Sequence, residues 1–377
     1  MKTMKVLVVL GTRPEAIKLA PVIQELKRHE EVETRVCVTG QHRELLTPFL
    51  EVCDIEPDYD LKLMEPDQRP TDLAARALQA LGPVLQQERP EWVLVQGDTT
   101  TAFAAALAAF HEKVRIGHVE AGLRSGDKYN PFPEEINRRL ISHLADLHFA
   151  PTAQARENLL RKGILASKIH VTGNTVIDAL QMILRRLPPL DLKELGIELR
   201  DNQRLILVTS HRRESFGPDL EGICRALKRL VEKNSDLVIA YPVHLNPNVH
   251  GPVHRILNGI PRVHLLEPLD YLTFVRLMER SYLILTDSGG VQEEAPALNK
   301  PVLVLRKRTE RPEVLETGAA RLVGTATEAI VAATERLLND QEEYTRMAQA
   351  ENPYGDGHAA ERIVRILLGK GDDGTER

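Results

Sequence analysis

Short apolar runs recur along this chain, each followed by a small or polar residue and then by a stretch with helical spacing. MKVLVVL leads into GTRPEAIKLAPVIQEL, and WVLVQ leads into GDTTTAFAAALAAF. Runs of strand length without polar alternation predict strands covered on both faces, hence βαβ units with parallel sheets. The theme returns in the second half, where RLILVTS precedes HRRES, DLVIAYP precedes VHLNPN and YLILTDS precedes GGVQEEAPAL. With 377 residues the chain exceeds what one core normally supports. The expected fold is therefore two Rossmann-like α/β domains, residues 1–187 and 191–365, facing a central cleft, with a tail over 366–377. Leu187-Pro188-Pro189-Leu190 is the expected linker and hinge, because tandem prolines end the helix running through IDALQMILRRL.

Composition narrows the partners. A net charge of −5 gives no bulk attraction for nucleic acid or anionic lipid, so an anionic ligand has to be met by local clusters of Arg, Lys and backbone amides. Cys37, Cys53 and Cys224 lack metal-type spacing, and Cys37 and Cys224 sit in apolar surroundings that suit buried thiols. The N-terminal apolar run ends after a strand's length at Gly11-Thr12-Arg13-Pro14, unlike a signal peptide or a membrane span. A reduced, cytoplasmic protein with no membrane partner is expected.

Candidate chemistry lies where strands give way to helices, the usual ligand position in such sheets. Thr12 is placed to cap a helix with Pro14 in its first turn, and Arg13 and Lys18 beside that N-terminus form a sensible anion site; a plain cap with two solvated charges is the alternative. No Gly-x-Gly-x-x-Gly stands at a strand-to-helix turn, so NAD is not implied and no cofactor is expected. Asp287-Ser288-Gly289-Gly290 offers consecutive amides and a helix beginning near Val291 to a diphosphate, with Ser288 adding a hydroxyl. Within Gln292-Glu293-Glu294, a glutamate either complements the dipole or holds ribose hydroxyls. His211-Arg212-Arg213 suits a phosphate-bearing ligand, and Arg311 is a candidate for the same pocket. Three carboxylates, Asp98, Glu120 and Glu134, stand at successive strand ends of the front half. Asp98 has the alternative role of capping the helix at Thr99–Thr101, and Glu134 that of pairing with Arg138 four residues on. Glu120 has no obvious structural partner, and the trio fits proton transfer beside a departing diphosphate.

The strings GTRPEAIKLAP, VQGDTTT, GHVEAGLRSGD, PEEINRR, TGNTVIDAL, TSHRRESFG, YPVHLNPNV, TDSGGVQEEAP and TERPEVL together resemble the bacterial non-hydrolysing UDP-N-acetylglucosamine 2-epimerases, over residues 4–365. The resemblance implies the two-domain GT-B architecture of many glycosyltransferases and a C-terminal helix, in ENPYGDGHAAERIVRIL, that returns to the first domain. It implies that Arg13, Lys18, His211, Ser288, Gly289, Gly290, Glu294 and Arg311 hold UDP, that Phe274 lines the uracil site, and that Arg138 orients the substrate. Asp98, Glu120 and Glu134 become the acid and base candidates, with His211 joining them as a catalytic candidate. A second UDP-N-acetylglucosamine, acting as an activator, would meet Gln41, Gln68, Glu134 and His244. A role in cell-envelope polysaccharide synthesis follows from the same likeness, and a homodimer is the default expectation.

The chemistry itself then restricts the route. The carbon 2 proton of an N-acetylhexosamine is not beside a carbonyl, so departure of UDP from carbon 1 has to acidify it first. Elimination to 2-acetamidoglucal and re-addition of UDP is the expected course, with cationic donors on the diphosphate worth about 3 to 4 kcal/mol each. A glycosyltransferase, a hydrolysing epimerase and a non-catalytic UDP-sugar sensor are the rival readings.

Overall fold

A computed structural model describes residues 3–40, 43–65 and 68–370. It divides into two compact units, Met1–Met182 with Tyr354–Arg377, and Ile183–Pro353. In the first, β1 (Met4–Leu10), β2 (Val32–Val38), β3 (Tyr59–Asp60), β4 (Trp92–Gln96), β5 (Arg115–Val119), β6 (Leu147–Ala150) and β7 (Ile169–Val171) lie in the order β3-β2-β1-β4-β5-β6-β7. In the second, β8 (Arg204–Thr209), β9 (Leu237–Pro242), β10 (Val263–Leu266), β11 (Leu283–Thr286), β12 (Val302–Val304) and β13 (Ala320–Leu322) lie in the order β10-β9-β8-β11-β12-β13. All pairings in both sheets are parallel. The alternation of strand and helix patterns thus produces two doubly wound sheets with the same winding.

Both sheets reverse direction beside their first strand, between β1 and β4 and between β8 and β11. Loops leaving those strands open into the crevice where ligands of such folds bind. The strands there are wholly apolar inside: Val6 to Leu10 and Leu205 to Val208 are each 2% exposed or less. Helix Thr100–His111 packs on the first sheet with six alanines, whose small side chains bring its axis close and set the loop Gly97–Thr99 at the sheet edge.

The division between units falls at Met182, inside helix Thr175–Arg186, and not at Pro188-Pro189, where a break was expected. The prolines end the helix, as their missing amides require, but the chain has already left the first unit. Helix Ala359–Leu367 belongs to the first unit, to which the resemblance has it return, although the bounds 191–365 had counted its residues with the second. Its buried stripe Ala359, Ala360, Ile363, Val364 and Leu367 packs against helix Arg13–Lys27. The buried carboxyl of Asp178 accepts from the Ala360 amide at 2.8 Å, and Arg362 donates to the Thr172 carbonyl at 3.1 Å. Burial raises the Asp178 carboxyl to about 6. Of the expected tail, residues 371–377 lie outside the described residues.

Cys37, Cys53 and Cys224 are buried and form no disulfide among the described residues, and burial pushes the Cys37 and Cys224 thiols up to about 12, which suits inert core residues. Among the described residues no helix is long and apolar enough to cross a membrane.

Candidate active site

In the first unit the polar groups converge at the ends of β4 and β5. Glu120 follows β5 with φ of +62°, a left-handed conformation costly for a glutamate, and is 8% exposed. Lys18 Nζ lies 2.6 Å from both of its carboxylate oxygens, the Asn174 amide donates to Oε1 at 3.1 Å, and the Gln96 amide donates to Oε2. The apparent lack of a partner for Glu120 in the sequence is thereby corrected. Lys18 reaches it from 102 residues away, so this cation is drawn into the acid cluster.

Asp98 is not the cap of helix Thr100–His111. Thr99 is, accepting from the Ala102 amide at 3.0 Å. The Asp98 carboxylate is instead held by Arg138 at 2.5 Å, and its carbonyl accepts from the Asn137 amide at 2.9 Å. Burial raises the Asp98 carboxyl above its ordinary range; Arg138 and Lys18 pull against this while the charge of Glu120 adds to it. Beneath the loop, His118 is wholly buried with Nε2 2.7 Å from the Gly97 carbonyl, and burial lowers its imidazole to about 4.

Glu134 opens helix Glu134–Leu144 and its side chain makes no hydrogen bond or ion pair among the described residues, so the alternative role of pairing with Arg138 is not taken. Its neighbour Glu135 points inward and takes that position. Glu135 accepts from the Ser125 amide at 3.0 Å and Arg139 Nε at 2.8 Å, and lies 3.6 Å from Arg138 Nη1. Against the cost of burial these partners hold Glu135 below the usual carboxylate range.

The loop Gly11–Thr12 is organised by Glu15, 1% exposed, which accepts from the Gly11 and Thr12 amides at 3.0 and 2.6 Å and from the Thr99 hydroxyl at 2.7 Å. The capping box thus ties the ends of β1 and β4 together. Arg13, first residue of the helix, has no ion pair among the described residues.

In the second unit, the loop after β8 is latched to the loop after β11 by Asp287. This carboxylate, wholly buried, accepts from the His211 and Arg212 amides, both at 2.8 Å, and from the Ser210 hydroxyl at 3.0 Å. His211, 40% exposed, stands with Nδ1 3.4 Å from Asp287 Oδ1 and stacks on the exposed His244 ring at 5.7 Å between centroids. Ser288 caps helix Gly289–Glu294, which starts two residues before the expected Val291, and its hydroxyl makes no capping bond. A Cβ on Gly289 would lie 3.0 Å from Glu310 Oε1 and 3.6 Å from Arg212 Nη2, so a side chain there crowds the loop.

The acidic run after the glycines has distinct partners. Glu293 binds Arg311 Nε, Gln292 accepts from the Thr309 hydroxyl at 2.6 Å, and Glu294 accepts from the Tyr271 hydroxyl at 3.0 Å. Phe274, half-buried, is on the same helix as Tyr271, Tyr271–Arg280. Among the described residues no three His, Cys, Asp or Glu side chains are grouped to hold a metal ion.

Residues 24–368 match the family model for UDP-N-acetylglucosamine 2-epimerase. The chain belongs to that family. It is 53% identical to UDP-N-acetylglucosamine 2-epimerase of Yersinia pestis over 369 residues, 97% of this chain and 98% of the relative. The crystal structure of UDP-GlcNAc 2-epimerase from Neisseria meningitidis bound to UDP-GlcNAc superposes with a TM-score of 0.86 at 48% identity, covering 97% of this chain and 100% of the other. The Methanocaldococcus jannaschii UDP-GlcNAc 2-epimerase in complex with UDP-GlcNAc and UDP gives 0.74 at 36% identity, covering 97% and 100%.

Within this epimerase-family chain the sequence-predicted groups fall into two sets. Asp98 with Arg138 and Glu120 with Lys18 form two ion pairs at adjacent strand ends in the first unit; His211, Ser288, Gly289, Gly290, Glu294 and Arg311 share adjoining loops of the second. Of the residues expected to meet an activator, Gln68 accepts from the Glu65 amide at 3.3 Å and from Arg76, while Gln41 lies outside the described residues. Sequence reasoning missed Gln96 and Asn174, which donate to Glu120, Asn137, which donates to the Asp98 carbonyl, and Glu135, which lies beside Arg138 and Arg139, and gave Asp287 no role of its own.

Proposed function

We propose that the chain interconverts UDP-N-acetylglucosamine and UDP-N-acetylmannosamine at carbon 2 without net hydrolysis. The bond from carbon 1 to the diphosphate oxygen breaks, the carbon 2 proton is removed, and 2-acetamidoglucal and UDP form. UDP then adds back while a proton arrives on the opposite face. Two faces call for two proton-transfer groups, and the observation that carries the reading is the pair Asp98 and Glu120 at adjacent strand ends in unlike environments. Glu120 sits on an ammonium group, whereas the Asp98 carboxyl is raised by burial. Carboxylates made unlike in this way suit one base and one acid.

Departure of UDP is the costly part, and cationic groups placed where charge develops lower its barrier. His211, Arg311, the Ser288 hydroxyl and the Gly289–Gly290 amides are the UDP-holding groups, with Arg13 as a cation of the first unit that pairs with no carboxylate among the described residues and Phe274 beside the uracil. Arg138 orients the sugar through the same guanidinium that grips Asp98. The neisserial relative's complex with UDP-GlcNAc supports the choice of ligand. The same reading assigns an activating UDP-N-acetylglucosamine to Gln41, Gln68, Glu134 and His244, and a homodimer as the working form.

Incubating the protein with UDP-N-acetylglucosamine alone in deuterium oxide and following carbon 2 by proton NMR tests the reading. UDP-N-acetylmannosamine carrying deuterium at carbon 2 is expected. Product without that label overturns elimination, and accumulation of free N-acetylmannosamine with UDP overturns the non-hydrolysing course.

A further inference from the structure

The two oxygens of the buried Asp287 carboxylate have unlike surroundings. Oδ2 takes three donors, the Ser210 hydroxyl and the His211 and Arg212 amides, at 3.0, 2.8 and 2.8 Å. Oδ1 is buried and receives no well-formed hydrogen bond among the described residues, yet His211 Nδ1 stands 3.4 Å from it. A buried acceptor short of a donor, facing an imidazole nitrogen able to supply one, selects which nitrogen carries the proton. The stacked His244 ring, 15° from coplanar, limits how the imidazole can turn away.

We infer that Asp287 is a positioning residue for His211, keeping the neutral imidazole as its Nδ1–H form and favouring the imidazolium whose Nε2–H meets the departing diphosphate. The second half of that statement rests on the reading of His211 as part of the UDP site. Three charged or titratable groups face the ring. Arg212 on its own loop and His244 from the loop after β9 oppose a proton there, as does burial, which comes first in holding the imidazole below its ordinary value; Asp287 from the end of β11 favours it. Replacing Asp287 by a neutral group therefore makes the imidazolium harder to form.

Asp287→Asn gives a directed outcome, because the two backbone amides at Oδ2 demand an acceptor. The asparagine oxygen must take that place, and its NH2 then faces His211 Nδ1. A donor opposite Nδ1 drives the neutral ring to the Nε2–H form, the same inversion that disables a Ser-His-Asp triad when its Asp becomes Asn.

The test uses the full chain labelled with 15N-histidine, with the His211 signals assigned by their loss in His211→Gln. Long-range proton–nitrogen spectra at a pH where the ring is neutral should show Nδ1–H in the wild type and Nε2–H in Asp287→Asn. With UDP-N-acetylglucosamine, kcat/KM of the variant should fall on the order of 10²-fold near neutral pH, with the alkaline limb of the profile moved to lower pH. A wild-type ring in the Nε2–H form overturns the inference, as does a folded Asp287→Asn protein with an unmoved pH profile. If the variant does not fold, the wild-type spectrum alone decides. A wild type with the Nδ1–H ring but no epimerase activity supports the positioning of His211 and overturns the proposed function instead.

Discussion

The two units wind their strands in the same order, yet they use the strand ends in opposite ways. In the first, carboxylates lie at the ends of β4 and β5 and cations serve them: Lys18 grips Glu120 and Arg138 grips Asp98. In the second, the carboxylate at the end of β11 is withdrawn wholly into the interior as Asp287, where it ties backbone amides together, and His211 is left partly exposed on the loop it braces. A duplicated topology thus supplies the same crevice twice, and which charge is presented there is decided by a few side chains at the loops. The proposed function assigns proton transfer to the first arrangement and anion binding to the second.

Breaking the first arrangement should have the largest effect. Glu120→Gln removes a proton-transfer group and leaves Lys18 without its carboxylate; kcat should fall on the order of 10³- to 10⁴-fold, while UDP, read by calorimetry, still binds. Asp98→Asn should cost on the order of 10²- to 10³-fold in kcat, and the limb of the pH–rate profile set by its raised carboxyl should disappear. Retained turnover in either variant would remove the first unit from the chemistry. Glu293→Gln breaks the second arrangement, because Arg311 loses the partner that orients it. Here KM should rise about tenfold, as for loss of one charge-assisted contact of about 1.5 kcal/mol, with kcat changed less than in the acid variants.

The smallest effect concerns the terminal helix. The folded-state pKa of Asp178, about 6, lies above the ordinary carboxyl value of 3.8. Its protonated form is favoured on folding, so the contribution is present below 3.8 and lost as pH rises through about 6. The melting temperature of the wild type relative to Asp178→Asn should accordingly be higher at pH 4 than at pH 8. An offset that does not vary with pH would mean the helix is not held through this carboxyl.

Both sheets were legible in the sequence because buried parallel strands leave unbroken apolar runs, and the loops that carry the candidate residues were legible because they follow those runs directly. Contacts distant along the chain were not. Lys18 reads as an anion site from its place near a helix N-terminus, and nothing local announces a glutamate 102 residues on. Gln96 and Asn174 are single amides at strand ends, a position that carries no signature until the fold brings Glu120 between them. Glu134 was singled out and Glu135 given no role, because the inward face of helix Glu134–Leu144 is set by tertiary packing, and it selects Glu135 and Asn137. The unit boundary was misplaced because helix Thr175–Arg186 passes through it without a break in pattern.

The claim on which the rest depends is that carbon 1 releases UDP before carbon 2 is inverted. Substrate carrying 18O only in the oxygen between carbon 1 and the β-phosphorus reports this directly, since the released β-phosphate can rotate before the sugar rejoins. The expected result is 18O redistributed into the non-bridging positions of recovered UDP-sugar while the epimer forms. Formation of UDP-N-acetylmannosamine with the label still wholly in the bridge would contradict it.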